Sequence, residues 1–344
     1  METRREHGRT ISRRAFLKGA SVLGASLAGA GLGPAWVPPA WGQRPKVRLA
    51  YLQLGWTATE IIHQEDLLGK LGWDAEYTAV GGSPAGLVNT YAAGKVDSID
   101  MSFALAAKMF EQGVPLRVVG VATAVLGAIV VPKGSPIKAV EELKGRKLAS
   151  IVGTTTHNDI VALVKKGYGF DLVKENRIVT AGGPPDLVNL LNKGEVEGIV
   201  GWQPMTDQLV LTGRHVYLTK QIDLWRKATG RNDYAVHVCY LAHPEFLRQH
   251  PKFAADLNKA QEQAVQIWYN DRPRAIRHVM AITKLPQNVV EFAHGQTVRM
   301  MAGLTDEHIE TLLVQLRLNK ESGYLTSPIW ESPDRVRREF FWRG

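Results

Sequence analysis

At 344 residues, with 45% hydrophobic and 22% charged side chains, the chain has a globular composition and enough length for one large core or two of roughly 100–200 residues each. Cys239 is the only cysteine, which rules out an intrachain disulfide and a cysteine-rich metal cluster. Of the net charge of +9, residues 1–42 contribute six basic side chains (Arg4, Arg5, Arg9, Arg13, Arg14 and Lys18) against Glu2 and Glu6, leaving about +5 elsewhere. That mild excess suits an anionic ligand, and no dense Lys/Arg run points to nucleic acid.

The N-terminus reads as an export signal. Ser12 to Lys18, SRRAFLK, matches the twin-arginine pattern and is followed by a Gly/Ala-rich, weakly apolar run from Gly19 to Gly33. That run is too short and too poor in large apolar residues to span a bilayer. Ala40-Trp41-Gly42 places small residues where a signal peptidase reads, so cleavage is expected before Gln43, and the mature protein in the periplasm.

Past the leader, Val47 to Leu52 reads as a first buried strand, with Gln53 to Trp56 turning the chain at its C-terminal end. Thr57 to Glu60 has the T-x-x-E spacing of a capping box and predicts a helix through about Leu71. Gly72 to Tyr77 predicts a second strand. Val118 to Val131 is a long apolar segment interrupted at Gly127, and Lys147 to Val152 a further strand. Gly153-Thr154-Thr155-Thr156-His157 reads as a turn into a helix from Asn158 to Lys166; Tyr234 to Ala242 is apolar and strand-like, and from Pro244 the chain is helical with short breaks. Strands alternating with helices imply parallel sheets covered on both faces.

One unit occurs twice. Gly82 to Met101 and Gly182 to Trp202 share, at an offset of 100, glycine at 82/182, proline at 84/184, Leu-Val-Asn at 87–89/187–189, glycine at 94/194, valine at 96/196 and isoleucine at 99/199. Each copy is a Gly-Pro turn, a short amphipathic helix, a glycine stop and an apolar strand. Two copies at this distance predict two similar α/β lobes facing a shared crevice.

These pieces, taken in order, resemble the periplasmic solute-binding proteins of ABC importers, in the branch for nitrate, sulfonates, taurine and thiamine-pyrimidine precursors. The matching stretches are GGSP with LVNTYAAGKVD, SPIKAVEELKGRKLA, GTTTHN, GEVEGIV with WQP, and the late PEFL and HP, and they cover about residues 45–325. Gln203 stands where the family commonly has a glutamate, and Gln53 to Thr57 matches no one substrate pattern. The resemblance implies an α/β, type II periplasmic-binding fold: two doubly wound lobes joined by two crossovers, with a cleft between them. Residues 1–42 would be the leader, 43–130 and 234–344 lobe 1, and 131–233 lobe 2. It further implies a monomer that closes on its ligand by a hinge and delivers it to an inner-membrane permease with its ATPase.

Candidate ligand contacts follow from where helix N-termini and strand ends converge. Gly153 to Thr156 offers free N–H groups, hydroxyls and a positive helix end without any lysine. Trp56 and Trp202, each just after a strand, are expected to face each other as aromatic walls. Ser102 and Phe103 occupy in the first repeat the place of Trp202 and Gln203 in the second; Gly82 and Ser83 form another helix start, and Gln53 and Thr57 flank the first turn. His157 donates to an anion, sits behind it or faces solvent. His237 and Cys239, two apart on a strand, are read as a buried pair rather than metal ligands.

No nucleophile elbow, P-loop or dinucleotide fingerprint appears beyond the leader, so no catalytic residue, metal or cofactor is expected. The ligand reading is a small organic anion, a sulfonate or aromatic carboxylate, with nitrate and a planar pyrimidine as alternatives. An enzyme of thiamine-pyrimidine synthesis or a periplasmic sensor domain on the same fold are the competing roles.

Overall fold

The computed structural model describes residues 44–53, 56–81 and 84–344. The leader, Gly82 and Ser83 lie outside the described residues. Strand β1 (Lys46–Leu52) is followed by α1 (Thr59–Gln64), α2 (Leu67–Lys70), β2 (Asp74–Val80), α3 (Pro84–Ala92), β3 (Ser98–Ser102), α4 (Phe103–Glu111) and β4 (Arg117–Ala124). Then come β5 (Gly127–Pro132), β6 (Lys147–Ser150), α5 (Thr155–Tyr168), β7 (Arg177–Thr180), α6 (Pro184–Asn192), β8 (Gly198–Trp202), α7 (Met205–Leu211), β9 (His215–Lys220) and α8 (Gln221–Thr229). Strand β10 (Val236–Ala242) leads into α9 (Pro244–Gln249), α10 (Phe253–Asn270), α11 (Arg272–Thr283), α12 (Gln287–Phe292), α13 (Asp306–Glu321) and α14 (Pro333–Glu339). No described helix is long and apolar enough to cross a membrane.

Two five-stranded sheets result, ordered β2-β1-β3-β10-β4 and β7-β6-β8-β5-β9. The orders correspond strand for strand, with the doubled sequence unit supplying α3–β3 in one and α6–β8 in the other. In each sheet the fourth strand is antiparallel to both neighbours, and it is the strand that has just arrived from the other lobe. Each sheet buries apolar side chains on both faces. In the first sheet Leu49 and Tyr240 face a cluster built on α1, α2 and α10–α12, while Ala50 and Leu241 face one built on α4 and α13. In the second, Ile129 packs with α5 and α8, and Val130 with α6. Helices on both faces explain why strands such as β10 are buried at every position.

Three local expectations differ. The helix expected from Thr57 to Leu71 is broken at Asp66, whose φ of 47° is left-handed, and its N-cap is Ala58 rather than Thr57. The Thr57 hydroxyl instead donates to Asp100 at 2.6 Å, a buried carboxylate that outcompetes a surface cap. The helix expected from Asn158 starts at Thr155, with Thr154 as N-cap. Finally, the apolar run 118–131 divides at Val125-Leu126, so that β4 and β5 belong to different sheets. This is the first crossover. Val125 N–H donates to the carbonyl of Ala235 on the returning crossover at 2.9 Å, joining the two connections. Beside them Gly127 is sterically required: a Cβ there would lie 2.3 Å from Gln221 Oε1 and 2.8 Å from Thr156 Cγ2.

Candidate functional site

A cavity of about 440 Å³ opens between the two sheets, at the C-terminal ends of their parallel strands. Leu52, Ser102 and Trp202, the last residues of β1, β3 and β8, border it, as does Ile151 just beyond β6. The starts of α3 at Pro84, α5 at Thr154–Thr156 and α6 at Gly183–Pro184 also reach it. Three helix N-termini therefore bring their positive ends to one space. No lysine or arginine borders it among the described residues.

The α5 end is built for this. Gly153 takes a φ of +88°, which only glycine adopts without strain, and Thr154 is extended. The Thr154 hydroxyl donates to Ile151 O at 2.8 Å and accepts from His157 N at 3.4 Å. The N–H groups of Thr155 and Thr156 are left with no acceptor among the described residues. The Thr155 hydroxyl reaches across the cleft, donating to Ser102 Oγ at 2.8 Å and accepting from Leu105 N at 3.2 Å. The first turns of α4 and α5 are thus hydrogen-bonded to one another between lobes.

Asp100 and His237 supply the ionisable part of the wall. Asp100 accepts from Thr57 and Thr59 on Oδ2 and from Leu52 N on Oδ1; burial pushes its carboxyl up to about 6 despite these bonds. His237 lies on a β-bulge: Val236 faces Ala124 and Val238 faces Thr123, so His237 is an extra residue on β10. Burial lowers its imidazole to about 4, and its buried Nδ1 has no partner among the described residues. Trp202, although on a lobe 2 strand, packs against the Trp56 cluster of lobe 1. It also borders a second chamber of about 340 Å³, with Gln53, Pro185, Asn189 and Leu285.

Of the residues expected from sequence, Ser102, Thr154, Thr155, Thr156 and Trp202 border the main cavity, and Gln53 the second chamber, its amide donating to Ile282 O. Four are elsewhere. Trp56 is 1% exposed in the lobe 1 core: its left-handed backbone (φ 53°) is held by the Thr123 hydroxyl on its carbonyl, and the two tryptophans do not face each other across the cavity. Thr57 lies behind Asp100, and Phe103 packs with Phe340. His157 turns inward, its Nδ1 2.9 Å from Ser150 Oγ, with burial lowering its pKa.

Sequence reasoning missed Asp100 and the Gly182-Gly183-Pro184 turn, although the repeat, which nominated residues 82 and 83, had a counterpart to offer. It also paired His237 with Cys239 as buried neighbours. Cys239 is fully buried, donating from Sγ to Met101 O, but the bulge takes His237 to the cavity wall. Among the described residues no group of three His, Cys, Asp or Glu side chains is placed to hold a metal ion.

Against known proteins, the family described as NMT1/THI5 like matches residues 78–275, more than half of the chain. The taurine-binding periplasmic protein of Escherichia coli (strain K12) is 25% identical over 255 residues, covering 70% of this chain and 76% of its own. The periplasmic aliphatic sulphonate binding protein SsuA of Escherichia coli superposes with a TM-score of 0.72 at 19% identity, covering 87% and 92% of the two chains. The periplasmic nitrate-binding protein NrtA of Synechocystis PCC 6803 gives 0.63 at 14% identity, covering 86% and 88%. With the strand order, the three convergent helix ends and the matched span, the chain belongs to the NMT1/THI5-like family and has the periplasmic-binding-protein fold.

Proposed function

We propose that this protein is the periplasmic solute-binding component of an ABC importer and captures a small organic anion between its lobes. The observation that carries this reading is the cavity's make-up: positive helix ends without a fixed cation among the described residues, set against apolar walls from Leu52, Leu105, Leu126, Ile151 and Trp202. Backbone N–H groups at a helix start suit a sulfonate or carboxylate. The apolar walls and a volume within the range for organic ligands favour a ligand with a carbon body over a bare oxyanion such as nitrate. The taurine- and sulphonate-binding relatives support the same chemistry. Ligand contacting both lobes would favour the closed arrangement by its differential affinity for it, and an inner-membrane permease with its ATPase would receive the closed form.

Cys239, the only cysteine of the chain, is buried and does not border the cavity. Thermal unfolding of the protein from Gln43 onward tests the reading with alkane- and arylsulfonates, aromatic carboxylates, nitrate and pyrimidines. An organic anion at a hundredfold excess over Kd raises stability by about 2.7 kcal/mol. Stabilisation by pyrimidines alone, or chemical conversion of the ligand, overturns it.

A further inference from the structure

Away from the cavity, a buried carboxylate ties the two sheets' layers together. Asp207 lies in the first turn of α7, which follows β8 of the second sheet, and it is fully buried. One of its oxygens accepts from the Tyr217 hydroxyl of β9, the other from the Thr297 hydroxyl at 2.7 Å. Thr297 ends a π-helical turn, Ala293–Thr297, whose Ala293 belongs to an apolar cluster of the first sheet. Turns of this kind frequently mark functional sites.

No cation is bonded to this carboxylate among the described residues. Lys220, at the end of β9, acts on it from a distance, its ammonium lying over the Tyr217 ring. The other titratable groups on the elements around Asp207 are engaged elsewhere. His215 of β9 lies against Leu209 with its imidazole lowered by burial, His294 of the π turn is bonded to Trp268 O, Glu291 of α12 to Gln287, and Asp186 of α6 to Gly182 N. A carboxylate held by neutral donors in a dry setting keeps its charge poorly, and burial pushes Asp207 from 3.8 up to about 6 despite its two hydroxyl partners. Its neighbours Met205 and Gln208 border the chamber of about 340 Å³ that Leu285, just before α12, also borders. Parting the lobes on this flank widens that chamber and lets water reach the carboxylate, whose affinity for a proton then falls.

We propose that Asp207 and Thr297 form a proton-dependent clasp: when the lobes close on ligand Asp207 takes up a proton, so the protein holds its ligand more tightly in acid. Neither residue borders the cavity, so the clasp acts on closure and leaves the ligand untouched. The inference rests on the organic-anion reading and on closure of the lobes, and adds the proton as a second ligand. A carboxyl with a higher pKa in the closed form favours closure in full below about pH 4, and that contribution is lost as pH rises through about 6. The Thr297 hydroxyl donates to the ionised carboxylate and accepts from the protonated one, and the bond to the ionised form is the stronger.

The test is calorimetric titration of the protein from Gln43 onward with ethanesulfonate, benzenesulfonate and benzoate at pH 5 and 7.5, where all three are anions. The gain in affinity from pH 7.5 to pH 5 is about three- to tenfold larger in the unaltered protein than in Asp207→Asn, which keeps an acceptor for each hydroxyl. The cavity-wall groups Asp100 and His237 titrate alike in both proteins and cancel in that comparison. Thr297→Val weakens binding about threefold or more at pH 7.5 and less at pH 5. Equal gains in the unaltered protein and a cooperatively melting Asp207→Asn protein overturn the clasp alone, as does a Thr297→Val protein that binds as tightly as the parent at pH 7.5. If Asp207→Asn does not fold, Thr297→Val decides. Binding of none of the three overturns the organic-anion reading, and this inference with it.

Discussion

Trp202 divides two chambers between the lobes, while Trp56, also just beyond a strand, lies within the core of one lobe. Truncating them has opposite consequences. Trp56→Ala removes a fully buried aromatic and costs about 3–5 kcal/mol in urea unfolding, while the folded fraction keeps its ligand affinity. Trp202→Ala, partly exposed, costs less stability but weakens ligand binding by about tenfold or more in calorimetry. The sequence offers the same signal for both residues, an aromatic after an apolar strand. What separates them is the left-handed backbone at Trp56 and its carbonyl bond to Thr123, a contact 67 residues away that no local pattern reveals. His237 was hidden for a similar reason, since a bulge depends on the register of the partner strand.

Helix α5 is the element on which the site depends, and both of its ends of influence can be tested. Thr155→Val keeps the shape but removes the hydroxyl between Ser102 and Leu105, leaving the Leu105 N–H without its acceptor. Ligand affinity then falls about three- to thirtyfold in calorimetry, while a melting temperature without ligand moves little. One turn further on, Asp159 is buried between Gln221 and Asn319, and burial pushes its carboxyl from 3.8 up to about 6. A raised folded pKa means that the native state holds the proton more tightly than the unfolded chain does. The associated stabilisation is present below about pH 4 and is lost as pH rises through about 6. Urea unfolding at pH 4.5 and 7.5 checks this: the stability of the parent relative to Asp159→Asn decreases toward the higher pH. The threonine run itself was legible in sequence as a helix start, because glycine followed by a hydroxyl residue is the common cap chemistry. Its cross-cleft bond was not, since Ser102 and Thr155 belong to different lobes.

At the scale of the whole molecule the duplicated unit was the informative feature. Gly-Pro, helix, glycine and strand recur with the same residues, and the two sheets assemble in the same order around them. The repeat therefore predicted two α/β lobes, and the resemblance implied two crossovers between them. The sequence placed the interruption of the apolar run 118–131 at Gly127, one residue past the break at Val125-Leu126, because both halves of the run are fully buried strand and Gly127 itself opens β5. If ligand draws the lobes together about this junction, small-angle scattering records a smaller radius of gyration with a saturating organic anion than without; identical curves count against hinge closure.

The exchange of fourth strands has a consequence for biosynthesis. All five strands of the second sheet lie between Gly127 and Lys220, an uninterrupted insert, whereas the first sheet needs β10, at Val236–Ala242, to fill the gap between β3 and β4. As the polypeptide leaves the ribosome the inserted lobe can be complete while its host remains a three-stranded fragment and a loose strand, so the part made first is finished last.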